Sequence, residues 1–149
     1  MSARFPEAAV LDASVAGKLF APDSDRPIAI ALIQASQVLA RPHFVVPDLF
    51  FVESVNAIRR IARGAKLGSG ELLTKVKALI AIETEVIATR ELTLPAVETA
   101  QTRLISFHDA LYVAAAIARQ LPLITADDRL VRALAGSPCR VLSLRELAA

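Results

Sequence analysis

The chain carries a single cysteine, Cys139, and two histidines, His43 and His108, among its 149 residues. A lone thiol cannot close an internal disulfide. Cys139 is therefore expected to act as a small hydrophobe beside a strand, in a reducing, cytoplasmic setting. The shortage of histidine leaves Ser14 without an obvious base, and neither histidine falls in a triad motif. His108 is expected in the core or on the rim of a site. No Walker loop or Gly-x-Gly-x-x-Gly stretch is present, which argues against a nucleotide cradle. No apolar run approaches the ~20 residues that span a bilayer. The longest, residues 110–118, reads as a buried helix, so no membrane partner is expected. The opening residues 1–7 lead into an apolar stretch interrupted by Asp12, which does not fit a signal peptide. Repeats, low-complexity tracts and internal linkers are also missing, so residues 1–149 are expected to form one domain.

What the chain does have is apolar mass: 54% hydrophobic residues and a mean hydropathy of +0.49. Much of it is alanine and aliphatic residues, suited to buried helices and parallel strands. The excess also suits an apolar surface covered by a second subunit, with the helices over 49–82 as the contact region. A net charge of +2 does not by itself argue for nucleic acid. The local cluster Arg59, Arg60, Arg63 and Lys66 either complements a helix C-terminus or contacts phosphate.

Taken in order, residues 8–11 form an apolar run that stops abruptly at Asp12, and small residues then lead into a helix. This reads as a buried strand presenting Asp12 and Ser14 at its carboxyl end. Ser24 or Asp25 can cap a helix with Pro27 in its first turn; Ile28, Leu32, Ala35 and Leu39 recur at helical spacing until Pro42. Residues 43–46 form a strand, and Asp48 is a plausible N-cap for a helix over 49–63. Phe51, Val55, Ile58 and Ala62 make its apolar stripe, with Glu53, Asn56 and Arg60 roughly opposite. Beyond the glycines at 64, 68 and 70, a helix over 71–82 has Leu72, Val76, Leu79 and Ile80 on its apolar side. Strands are expected at 85–88, 123–125 and 139–142, with helices over 95–104, 107–120 and from Asp127 or Asp128 to about 135. Alternating strands and helices indicate a parallel sheet of about five strands covered on both faces, a three-layer α/β/α sandwich.

If strands 8–11 and 123–125 share that sheet, Asp12 and Asp127 emerge at one edge, where open α/β sheets bind ligands. Two further carboxylates, Glu53 and Asp109, stand out with them. Each of the four has an ordinary explanation: a turn residue for Asp12, a solvated helix position for Glu53, a capping box with Ser106 for Asp109, a helix cap for Asp127. Together they suggest a site. Nearby carboxylates without a counter-ion repel one another, and that repulsion is expected to raise at least one pKa. A hard cation such as Mg²⁺ relieves it, taking one or two carboxylates with water and substrate phosphate, and can activate water for phosphodiester hydrolysis.

Four segments resemble, in order, the PIN domain, and within it the VapC-type ribonuclease toxins of toxin–antitoxin pairs. Val10-Leu11-Asp12-Ala13-Ser14 is similar to the opening strand with its Asp-x-Ser/Thr. Glu53-Ser54-Val55-Asn56, preceded by Pro47-Asp48, resembles the helix bearing Glu-x-x-Asn. Asp109-Ala110-Leu111-Tyr112-Val113-Ala114 resembles the Asp-Ala-x-Tyr-x-Ala segment, and Thr125-Ala126-Asp127 the Thr-x-Asp strand end. The resemblance implies a Mg²⁺- or Mn²⁺-dependent endoribonuclease acting on RNA, often dimeric, neutralised by a small antitoxin. By motif match Asp12, Glu53, Asp109 and Asp127 would form the acidic metal site, supported by Ser14, Asn56 and Thr125. Arg60, two turns from Glu53 on the same helix face, is expected to contact RNA phosphate. The competing reading is a non-catalytic α/β regulatory module with an acidic pocket. A receiver-type domain would show an acidic pair after its first strand and a lysine near a late one; here Asp12 stands alone and Arg140 flanks the last strand.

Overall fold

The computed structural model describes residues 5–148; the segment 1–4, part of the stretch read as lacking a signal peptide, lies outside the described residues. The elements follow as β1 (Ala8–Leu11), α1 (Ala13–Phe20), α2 (Arg26–Leu39), β2 (His43–Pro47), α3 (Leu49–Gly64) and α4 (Ser69–Ile80). After these come β3 (Thr84–Ile87), α5 (Thr89–Arg103), α6 (Phe107–Arg119), β4 (Leu123–Thr125), α7 (Asp128–Ala133), β5 (Val141–Ser143) and a 3₁₀ turn, Leu144–Ala148. All five strands are parallel, in the order β3-β2-β1-β4-β5. This is the α/β class expected from the alternation of strands and helices.

Consecutive residues of β1, β2 and β4 are buried: Ala9, Val10 and Leu11; Phe44, Val45 and Val46; Leu123, Ile124 and Thr125. Side chains alternate faces along a strand, so burial of every residue means that both faces are covered. Helix α1 packs against both α2 and α3, and α5 packs on α6, which also lies against β1 and β2. Seven successive residues of α6, Ala110 to Ala116, are buried, which makes it a core helix.

Several boundaries differ from the sequence-based expectation for identifiable reasons. Helix α5 begins at Thr89, not near 95, and contains Pro95. Its start is anchored from outside: Asp48 Oδ1 accepts the backbone N–H of Thr89 at 3.1 Å and also the Thr89 hydroxyl. Asp48 thus makes no side-chain cap on α3, the helix it was expected to start. Pro95 is exposed, so water can satisfy the carbonyl it leaves unpaired. Helix α4 starts at Ser69, two residues before the expected start, and ends at Ile80, two residues before the expected end. Ile80 and Leu39, placed on apolar stripes by periodicity, are 66% and 67% exposed at the ends of their helices. The last strand is Val141–Ser143 and leaves Cys139 just outside it, though buried. No described helix is long and apolar enough to cross a membrane.

Candidate active site

Connections from β1 run to β2 and β3 on one side of the sheet, whereas β4 and β5 lie on the other. The carboxyl ends of β1 and β4 therefore border the crevice where the strand order reverses, the usual ligand position in such sheets. Leu11 pairs with Ile124, and the Asp12 backbone N–H reaches the Ile124 carbonyl at 3.0 Å. Asp12 and the end of β4 thus emerge side by side.

Asp12 occupies the position before α1 but makes no side-chain cap there. Its carboxylate is instead 5% exposed and held across the two strands. Oδ2 accepts the Ser14 hydroxyl at 2.5 Å and the Thr125 hydroxyl at 2.8 Å. Each hydroxyl has one proton, so both are spent on Asp12, and the two oxygens act elsewhere as acceptors. Ser14 Oγ takes the Ala126 N–H at 2.9 Å and Thr125 Oγ1 takes the Asp127 N–H at 3.1 Å. Burial pushes the Asp12 carboxyl up to about 6; the two hydroxyls oppose this, and the charges of Asp109 and Glu53 add to it. The expected raised carboxyl is present, but desolvation outweighs repulsion as its cause.

Glu53 projects from α3 in a half-buried setting. Its Oε1 accepts the Tyr112 hydroxyl at 2.7 Å, and Oε2 lies 3.8 Å from His108 Nδ1. Tyr112 is fully buried, and burial holds its phenol protonated as a donor. His108 is 64% exposed, on the rim and not in the core. Asp109 opens α6, with its backbone N–H donating to Ser106 Oγ at 3.0 Å. Burial raises the Asp109 carboxyl; Asp127 adds to the shift, while Ser106, Arg129 and His108 offset it. Asp127 does cap α7: Oδ1 accepts the N–H groups of Arg129 at 2.9 Å and Leu130 at 3.4 Å. Its capping role and its place at the strand end coexist.

Asp12 lies within electrostatic reach of Glu53 and Asp109, and Asp109 within reach of Asp127. A cleft of about 350 Å³ opens beside Ser106, Asp109, Asp127 and Arg129. Asn56 and Arg60 lie further along α3, both exposed and without a side-chain hydrogen bond among the described residues. Among the described residues, no three histidine, cysteine, aspartate or glutamate side chains are grouped closely enough to hold a metal as they stand. The donor set nonetheless suits a hard cation. It offers carboxylate oxygens alone, one carboxyl among them buried and pushed up to about 6 by that burial, and Mg²⁺ needs only one or two such ligands besides water. Sequence reasoning assigned no role to Tyr112. Its spacing of three residues from Asp109, on one face of α6, was the available signal.

No curated protein matches the chain. Among solved structures, a Klebsiella pneumoniae toxin–antitoxin complex aligns with TM-score 0.62 at 21% identity, over 91% of this chain and 97% of that one. VapBC2 of Rickettsia felis, bound to a DNA fragment from its promoter, aligns with TM-score 0.64 at 12% identity, over 91% and 98%. The Mycobacterium tuberculosis toxin VapC20, described as cleaving the sarcin–ricin loop, aligns with TM-score 0.58 at 18% identity, over 84% and 94%. Identities this low establish a shared fold. The family model described as PIN domain matches residues 9–135, which contain both strand ends of the crevice and all four carboxylates, and the chain belongs to the PIN domain family.

Proposed function

We propose that the protein is a Mg²⁺- or Mn²⁺-dependent endoribonuclease, the toxin of a toxin–antitoxin pair, acting as a homodimer and restrained by a cognate antitoxin. The observation that carries this reading is Asp12: buried at the crevice, pushed up to about 6, and facing the charges of Glu53 and Asp109. Such a carboxylate is costly to a structure that makes no use of it. Family membership and the toxin–antitoxin structures of the same fold support the reading further.

Asp12, Asp109, Glu53 and Asp127 would hold the cation. When bound, the cation supplies an activated water and neutralises charge developing on the phosphate. Ser14 and Thr125 tie up one oxygen of Asp12, which fixes the direction of the other. Tyr112 does the same for Glu53. Asn56 and Arg60 offer an amide and a guanidinium to the substrate phosphates along α3. The test is cleavage of RNA with Mg²⁺, Mn²⁺ or EDTA, alongside Asp12→Asn. Cleavage that needs the metal and is lost in the variant supports the proposal; metal-independent cleavage, or full activity of Asp12→Asn, overturns it.

A further inference from the structure

The C-terminal half of α3 carries an electrostatic feature that the acidic site does not use. From Ser54 to Gly70 the chain has no acidic residue, while Arg59, Arg60, Arg63 and Lys66 fall within it. Elsewhere, many cations are engaged. Lys18, Arg41, Arg119, Arg129 and Arg145 form ion pairs. Arg26, Lys75 and Arg103 donate to carbonyls. Among the described residues, none of the four cations on this stretch has an ion pair or a side-chain hydrogen bond. Arg59, Arg63 and Lys66 instead line a pocket of about 230 Å³ at the α3–α4 corner, with Leu67, Gly68 and Ser69. The corner is braced, since the Leu67 N–H returns to the Ala62 carbonyl at 2.8 Å and the Lys66 N–H to that of Arg63 at 3.2 Å. The start of α4 adds its field to that of the cations, and the exposed Glu71 carboxylate in its first turn offsets part of it.

The placement of this pocket relative to the acids gives it meaning. Glu53 and Arg63 are ten residues apart on one helix, about 15 Å along its axis. At ~100° per residue, Glu53, Asn56, Arg60 and Arg63 fall within an arc of about 80°. The strip therefore runs from the carboxylates, past an amide and a guanidinium, to the basic pocket. A stacked strand rises ~3.4 Å along its axis per phosphate, so it covers that length in about four nucleotides. We infer that the α3–α4 corner, through Arg59, Arg63 and Lys66, is a second phosphate-binding subsite that anchors the single-stranded RNA backbone about four nucleotides from the acidic site. This rests on the ribonuclease reading for its substrate and extends it to the substrate's reach and polarity. Arginines at exposed helix positions hold phosphate without base contacts, so the anchor is indifferent to sequence.

The experiment reads binding and not cleavage, so that the two readings fail separately. A labelled 12-nucleotide RNA is titrated, without divalent metal, into Asp12→Asn and into Asp12→Asn carrying Arg59→Ala and Arg63→Ala, over a range of salt. Loss of two phosphate contacts should raise Kd about tenfold or more at low salt and reduce the slope of log K against log salt by about 1.4. Arg59→Lys with Arg63→Lys should keep most of that slope. Arg41→Ala with Arg140→Ala removes the same charge beside the amino ends of β2 and β5 and should change it little. Equal losses from the two alanine pairs, or no loss from the α3 pair, overturn the inference. So does an oligoglutamate peptide that binds through these arginines when RNA does not, which would assign the pocket to an acidic protein partner. A protein that binds RNA through this pocket yet cleaves none leaves the subsite standing and overturns the nuclease reading; cleavage with an unchanged slope does the reverse.

Discussion

Tyr112, fully buried on α6, donates its hydroxyl to Glu53 Oε1 on α3 at 2.7 Å. This bond joins the helix that carries Asp109 to the helix that carries Glu53, and makes the position of Glu53 a property of the core. Replacing Tyr112 with Phe keeps the ring and removes the donor. The variant should lose about 1.5–3 kcal/mol of stability, the usual scale for a hydrogen bond to a charged group. Cleavage should fall about tenfold, in kcat more than in KM, because Glu53 is freed and not deleted. Thermal melts and steady-state kinetics on one RNA substrate check both parts; a loss of stability with unchanged kcat would leave Tyr112 a packing residue.

Asp12 carries a stability signature with a definite sign. Its folded carboxyl is raised from 3.8 to about 6, so between those values the folded protein binds more protons than the unfolded chain. Wild-type stability should therefore fall as pH rises from about 4 through 6, by an amount on the order of 3 kcal/mol. Asp109, also raised, acts in the same direction. Asp12→Asn lacks the Asp12 titration, so in EDTA it should be at least as stable as wild type at pH 8, and its advantage should shrink toward pH 5. Urea melts of both proteins at the two pH values decide this. A wild type that gains on the variant as pH rises would show Asp12 to be stabilised as a carboxylate.

Thr125→Val tests the buried hydroxyl from the other side. The Thr125 hydroxyl lowers the Asp12 pKa by donating to Oδ2. Without it the Asp12 pKa should rise above about 6, and the acid limb of the cleavage profile should move to higher pH. An unmoved acid limb with reduced kcat would mean that Thr125 acts only by position.

Arg60 lies on the Glu53 side of α3 and is exposed. Arg60→Ala should weaken RNA binding and lower the salt slope by about 0.7, with no change in melting temperature beyond the small shift of an exposed residue. An unchanged slope would leave it a solvated helix residue.

Exposed apolar residues along the helices, among them Val52 and Leu73 at 61% and 56%, fit the proposed homodimer. Sedimentation at micromolar concentration should show a species near twice 15.9 kDa. A single monomeric species would contradict it.

Much of this arrangement was legible in the sequence where one residue's chemistry broke a local pattern. The apolar run of β1 ends on a carboxylate, and that carboxylate sits at the crevice. Ser106 precedes an apolar stretch by one position and caps α6 as expected. What stayed hidden depends on partners distant in sequence. Near residue 89 only Glu91 in the first turn hints at a helix start, because the side chain that accepts the Thr89 N–H is Asp48, 41 residues upstream. Leu39 and Ile80 match helical periodicity, yet they lie at helix ends where the core no longer reaches them. Ser54, flanked by the half-buried Glu53 and Val55, is fully buried, and its hydroxyl has no partner among the described residues. The acids themselves were visible, but not that burial, more than repulsion, raises Asp12, because desolvation comes from helices that only the tertiary fold brings together.

If Asp12, Glu53, Asp109 and Asp127 make one cation site that depends on Asp12, a melting experiment shows it without knowledge of the RNA. Wild type and Asp12→Asn are melted at pH 7 in EDTA and in rising Mn²⁺. A ligand that binds only the folded state raises the melting temperature with its concentration. Wild-type protein should gain several degrees by millimolar Mn²⁺, and Asp12→Asn should lose most of that gain. Equal shifts in the two proteins, or none in either, would contradict it.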